Sequence, residues 1–294
     1  MSKQRSRSFW QFLILCAFGL LFMTFGVLAQ QNGGGSPSAK PADKRRFNPH
    51  DLSGIWIGDK YGFNANFVPP MTPEGKNKFE ANRPSYGLAK GSPAALEQVN
   101  VPLGRRRAVP PALGNDPAGT CNPLGLIRLL LYESAPLEIV QTPDRILEFF
   151  EWTWDRREIW TDGRAQANVQ AYLPRFNGYS TGKWEGDTFV ATTVGFDDRQ
   201  WIDHFGYPLS SEAKLEERYR RTSFSAMELS MTLTDTKTYT QPWTSDVQHF
   251  RYITKEETAT GTNWAGLAEN KCVPLDEVDN FNKNIRDPAG GIKK

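Results

Sequence analysis

The chain has 294 residues, 39% of them hydrophobic and 12% aromatic, with a formal net charge of +2. That apolar content suffices for one substantial core, and all-β domains of about 200–250 residues often stay single. A charge so near neutral, with basic runs only at Lys44–Arg46 and Arg105–Arg107, argues against a nucleic-acid partner, which needs a basic face.

The N-terminus reads as a targeting segment. Lys3, Arg5 and Arg7 precede an apolar run from Phe12 to Ala29, and Val27-Leu28-Ala29 fits a signal-peptidase site. Cleavage after Ala29 predicts a periplasmic or secreted protein; the alternative is an uncleaved anchor, since the run nearly spans a bilayer. Residues 30–50, rich in Gly, Ser, Pro and Lys, read as a disordered tether. A single β-rich domain is expected over 51–279, with a loose tail at 280–294. Within it, 66–119 reads as an irregular or helical insertion, holding helix starts at Thr72-Pro73-Glu74 and Ser92-Pro93.

Strand signals then dominate. Glu138–Thr142 and Arg145–Trp152 flank the turn Pro143-Asp144, and Arg157–Thr161 runs into Asp162-Gly163. Tyr179–Trp184 and Thr188–Val194 form a hairpin around Glu185-Gly186-Asp187, where Gly supplies the positive φ that short loops need. Lys214–Arg221 alternates through Leu215, Glu217, Tyr219 and Arg221 and is read as a strand, with a helix starting at Ser211-Glu-Ala-Lys as the alternative; Ala226–Leu233 alternates through Met227, Leu229 and Met231, and Val247–Ile253 is the last strand. The fold class is therefore mainly β: an antiparallel, lipocalin-like barrel or a strongly bent sheet, with the helical or loop insertion near its N-terminus. Closure removes exposed edges that invite aggregation. Beyond the apolar run, Cys121 and Cys272 either pair in an oxidising compartment or remain two separate thiols.

Gly54-Ile-Trp56 resembles the Gly-x-Trp of lipocalins and other calycins, which implies a barrel with an apolar cavity and Trp56 as a structural plug. Gly178-Tyr-Ser-x-Gly-x-Trp-Glu-Gly-Asp-Thr-x-Val190, with Thr161-Asp-Gly-Arg164, Asp197-Asp198 and Pro242-Trp-Thr244, is similar to a group of exported bacterial proteins of unassigned function. That likeness runs over much of Asp51–Tyr252 and implies no activity.

The candidate catalytic residues are Asp203 and His204, a base beside its orienting group, and His249 with Arg251, which share one face of the last strand. The candidate ligand-binding residues are Glu148, Phe150, Trp152, Trp154, Tyr179, Trp184 and Trp201. Extended geometry puts Glu148, Phe150, Trp152 and Trp154 on one face, where burial among aromatics raises a carboxyl pKa. No nucleophile elbow, Walker loop, dinucleotide fingerprint or zinc motif occurs, so neither metal nor cofactor is expected. Two functions fit this pattern. One is binding of a small hydrophobic molecule in an aromatic-lined barrel. The other is an acid–base lyase, isomerase or hydrolase acting on a hydrophobic or cyclic substrate in the same cavity. A membrane partner enters only through an uncleaved N-terminal segment.

Overall fold

The computed structural model describes residues 43–58, 69–82, 116–131, 135–203, 205–260, 266–269, 271–273, 277, 281 and 284. The signal segment, the tether to residue 42, the second helix start at Ser92-Pro93, the run Arg105–Arg107, His204 and most of the 280–294 tail lie outside the described residues.

The strands are β1 (Gly54–Gly58), β2 (Leu137–Gln141), β3 (Arg145–Phe150), β4 (Arg156–Trp160), β5 (Tyr179–Glu185), β6 (Thr188–Val194), β7 (Lys214–Arg221), β8 (Ala226–Thr234), β9 (Trp243–Thr244) and β10 (Gln248–Ile253). β1 to β8 pair in sequence order, and β10 closes the sheet by pairing with both β8 and β1. Among the described residues, nine strands thus form a closed barrel, with β9 extending the edge of β8.

One pairing departs from the antiparallel expectation. β4 and β5 run parallel, joined only at Ile159–Ser180 and Trp160–Thr181. A parallel return needs a long connection, and the chain between Thr161 and Gly178 supplies it. The β5–β6 hairpin forms as expected, with Gly186 at φ 59° in the first of two loop positions.

Period-two burial sets the core. Ile146, Glu148 and Phe150 of β3, Leu215, Glu217, Tyr219 and Arg221 of β7, and Met227, Leu229, Met231 and Leu233 of β8 face inward. Trp56 is fully buried; its indole N–H donates to the Leu52 carbonyl, and the Arg221 guanidinium lies 5.3 Å over its ring. Helix α1 (Pro73–Asn82) begins where Thr72 was expected to cap it, the hydroxyl accepting from the Gly75 N–H at 3.0 Å. Its Phe79 stacks on Tyr207 at 4.6 Å. Helix α2 (Leu126–Leu131) is buried along its whole length and was not anticipated. A short run of apolar residues has no polar face from which a helical period can be read. Helix α3 (Lys255–Thr260) follows β10. Cys121 and Cys272 form a disulfide.

Candidate functional site

Inside the barrel, the wall from β3 to β7 converges on Arg157, whose side chain is 1% exposed. Its five N–H donors all have acceptors: Nε to Ser180 Oγ (3.0 Å), Nη1 to Glu148 Oε2 (3.0 Å) and Glu217 Oε1 (2.8 Å), and Nη2 to Thr193 Oγ1 (2.9 Å) and Glu217 Oε2 (2.5 Å). Tyr219 Oη is 3.0 Å from Glu148 Oε1 and 2.8 Å from Glu217 Oε1. One phenolic proton serves only one of those carboxylates at a time. A protonated Glu148 donating back to Tyr219 satisfies the second contact. Burial indeed pushes the Glu148 carboxyl up, against the opposing pull of Arg157 and with a further push from Glu217. The luminal aromatics pack on one another: Trp184 on Phe189 (5.2 Å) and Phe189 on Tyr219 (6.4 Å).

At the β4–β5 junction lies a cleft of about 800 Å³. Its sides come from β4, from the 161–178 connection and from the loop at Asp197–Arg199. The connection is held down by side chains of this very segment. Gln166 accepts from Thr181 Oγ1 (2.6 Å) and donates to the Tyr179 carbonyl (2.8 Å), while Asn177 Nδ2 donates to the Arg156 carbonyl (3.2 Å). An Asx turn at Asn168, whose Oδ1 accepts from the Gln170 N–H, reverses the chain.

Cations and rings alternate around the cleft. Arg164 lies 3.5 Å over Trp160, Arg175 lies 4.5 Å over Tyr179, and Tyr172 meets Tyr179 at 5.5 Å. Arg164 is paired with Asp162 and Arg199 with Asp197, each at 2.6 Å. Arg156 and Arg175 have no carboxylate partner among the described residues. Asp155 and Asn177 line the same cleft, with Asp155 Oδ2 and Asn177 Oδ1 buried and the Asn177 side chain a hydrogen-bond partner of the Asp155 carboxyl. Burial pushes the Asp155 carboxyl up, opposed by Asn177 and by the Arg156 backbone N–H. Asp155 follows two non-glycine residues of positive φ, Thr153 (60°) and Trp154 (55°). Such residues cost on the order of 1–3 kcal/mol each and persist where the surroundings over-determine them.

The residues singled out from sequence go to different places. Glu148 and Phe150 point into the barrel; β3 ends at Phe150, beyond which Trp152 is partly buried against the core and Trp154 is exposed. Trp154 is half-exposed and donates from Nε1 to the Ala268 carbonyl (2.9 Å), while Glu151 Oε2 accepts from the Ala268 N–H (2.9 Å); the hairpin tip clamps the C-terminal segment. Trp184 faces inward and stacks on His50 at 4.5 Å. Tyr179 faces outward into the cleft, its hydroxyl donating to the Leu173 carbonyl. Trp201 is buried and bridges to Pro208. His249 lies on the outer face of β10, half-exposed, 3.9 Å from Glu228. Arg251 pairs with Glu257 at 2.7 Å on the same outer side. The two therefore do not share the lumen, because β10 turns Gln248 and Phe250 inward instead. Sequence reasoning missed Asp155, Arg156, Arg175 and Asn177. Arg175 and Asn177 lie in the loop-rich stretch between β4 and β5, where nothing fixes a pairing partner, and Asp155 and Arg156 lie at the start of β4 with no signal of their own.

Asp203 is fully buried, with Oδ1 accepting from the Phe205 N–H (2.8 Å) and the Tyr207 N–H (3.2 Å). Desolvation pushes its pKa up to about 7, against those backbone bonds and the charge of Arg128, and with a push from Asp116. An acid bound more tightly by its proton in the folded state stabilises fully below the unfolded pKa, near 4, and loses that stabilisation as pH rises through 7. Asn keeps the Oδ1 acceptor. D203N should therefore match the native protein near pH 4.5 and exceed it at pH 8 by on the order of 1–3 kcal/mol, read from urea denaturation. A difference that does not change with pH contradicts this assignment.

No protein-family model matches this chain, and no curated protein matches it. The closed barrel, with Trp56 buried beneath Arg221, is compatible with the lipocalin-like resemblance of Gly54-Ile-Trp56. At the level the fold supports, this is a β-barrel with buried aromatic clusters, an architecture compatible with ligand binding.

Proposed function

We propose that the protein is an exported small-molecule-binding protein, and that its ligand is a mainly apolar molecule carrying an anionic group, held in the cleft at the β4–β5 junction. The observation that carries this reading is the pair Arg156 and Arg175, without carboxylate partners among the described residues, beside the rings of Trp160, Tyr172 and Tyr179. A guanidinium stacked on an aromatic ring keeps its outward N–H donors for a carboxylate. The middle of the lumen favours this placement over a deep internal one, since the Arg157 cluster occupies it. Export finds support in the basic-then-apolar N-terminus and in the Cys121–Cys272 disulfide, a bond that persists in oxidising compartments.

The test is titration of the native protein with 3-phenylpropanoate and longer aryl and alkyl carboxylates, following tryptophan fluorescence. Saturable quenching is expected, weakened about tenfold or more in R156Q/R175Q, since loss of a charged hydrogen bond costs about 1.5–3 kcal/mol. Absence of saturable binding across the panel, or binding indifferent to both arginines, overturns the reading.

A further inference from the structure

The connection between β4 and β5 carries the most exposed large apolar side chain among the described residues. Leu173 is 84% exposed, beside Tyr172 at 57% and Val169 at 40%. Ala171 and Pro174, interleaved with them, are exposed as well. The run is held in this position by hydrogen bonds. An Asx turn at Asn168 and the Ala171 N–H donating to the Asn168 carbonyl (2.9 Å) reverse the chain, and the Tyr179 hydroxyl holds the Leu173 carbonyl at 2.8 Å. Single exposed apolar residues are ordinary, whereas a contiguous group of them marks an interaction site.

Charge around this tip restricts what it meets. From Gly163 to Gly182 the sequence holds two arginines, Arg164 and Arg175, and no carboxylate. The neighbouring carboxylates are engaged: Asp162 with Arg164, Asp197 with Arg199 and Asp198 with Lys78. Glu158 belongs to β4 and not to the tip. Three large apolar side chains are too few to form a stable protein interface, which buries about 800 Å² on each partner. They suit shallow insertion at a lipid–water boundary, where apolar burial and attraction between basic side chains and anionic lipid add. Tyrosine fits the same boundary, with its ring in the apolar phase and its hydroxyl in the wet one.

We propose that this tip docks on an anionic lipid bilayer, with Val169, Tyr172 and Leu173 entering the boundary between headgroups and acyl chains and Arg164 and Arg175 meeting lipid phosphates. A basic-then-apolar N-terminus routes a chain to a membrane whether it is cleaved or kept. The tip adds a second contact, through the folded barrel. The inference goes beyond the cleft reading and does not depend on it.

The test uses the full-length protein carrying a polarity-sensitive dye at A171C in a C16S background, since Cys121 and Cys272 are occupied by their disulfide. Attachment through the N-terminal segment alone leaves that dye in water. A saturable blue shift is expected with phosphatidylglycerol vesicles and a much weaker one with phosphatidylcholine. L173D should weaken the response about tenfold or more, the loss expected when one buried leucine is forfeited. Its urea midpoint should equal that of the parent, because Leu173 is almost wholly exposed. R164Q/R175Q should weaken the phosphatidylglycerol response by about fivefold per charge and leave the phosphatidylcholine response unchanged. No shift with either vesicle, or a shift unaffected by L173D or by loss of both arginines, overturns the proposal. A shift that grows with protein concentration in the absence of vesicles also overturns it, and makes the tip a contact between copies of this chain.

Discussion

Replacing Arg157 with methionine is expected to lower the free energy of unfolding by about 3–5 kcal/mol, the range found when one partner of a buried ion pair is deleted. The cause is not the loss of attraction alone. Glu148 and Glu217 are 1% and 0% exposed, and both rely on this one guanidinium. Without it, two carboxylates face each other in a medium of low dielectric, and Ser180 and Thr193 lose a donor as well. The penalty should depend on pH. Glu148 already has a raised pKa through burial, and its protonated form needs no counter-charge. R157M should therefore recover part of its stability as pH falls from 7 to 5, read as a rise in the urea midpoint. R157M/E148Q/E217Q should be more stable than R157M at pH 7, since removing all the charges together is less costly than orphaning some. A loss below about 1 kcal/mol, equal at both pH values, would show that the cluster is solvated instead of buried.

That cluster also shows where the sequence is legible and where it is not. The strands could be located because alternation is a local signal: Met227, Leu229, Met231 and Leu233 reveal a wet and a dry face without reference to any neighbour. Even Lys214–Arg221, with charges at most positions, is the strand its alternation predicts. The same logic put Glu148 on one face with Phe150 and left open whether that face is buried or wet; it is buried. It could not reveal why a carboxylate is tolerated there, because Arg157 sits on β4 and Glu217 on β7, 60 residues further along. An arginine in a strand reads by default as a surface residue, and only the assembled barrel shows that it points inward. The candidate catalytic set illustrates the same limit. Face-sharing of His249 and Arg251 was readable, but the side of the sheet they occupy depends on which of their neighbours packs inward, and Gln248 and Phe250 do. The cleft was least legible. It exists because β4 and β5 are parallel and barely joined, a consequence of how the barrel closes and not of any motif in the 161–178 connection.

Removing the disulfide is expected to be the other large effect. Cys121 and Cys272 are 151 residues apart in sequence, so the bond constrains almost the whole barrel in the unfolded chain. In the loop-entropy account a closure of this length contributes at most about 5 kcal/mol, and removal of native disulfides typically costs about 2–5 kcal/mol. C121S/C272S should fall in that range by urea denaturation of the otherwise intact chain. Local structure points to a second consequence. Cys121 caps the 3-10 turn Pro117–Thr120 in a left-handed conformation, and Asp116 at the head of that turn is locked to buried Arg128 by two hydrogen bonds. The Cys121 end is thus anchored by the core. Among the described residues, the Cys272 end is held nearby by the clamp from Glu151 and Trp154 to Ala268. Once the bond is lost, the segment around Lys271 should open before the barrel unfolds, because regions with few buried contacts open at the lowest free energy. Limited trypsin digestion should then cut C121S/C272S after Lys271 far faster than the native protein, and W154A in that background should speed cutting further. If cleavage there is unchanged while global stability drops, the C-terminal segment is held by contacts other than the hairpin tip.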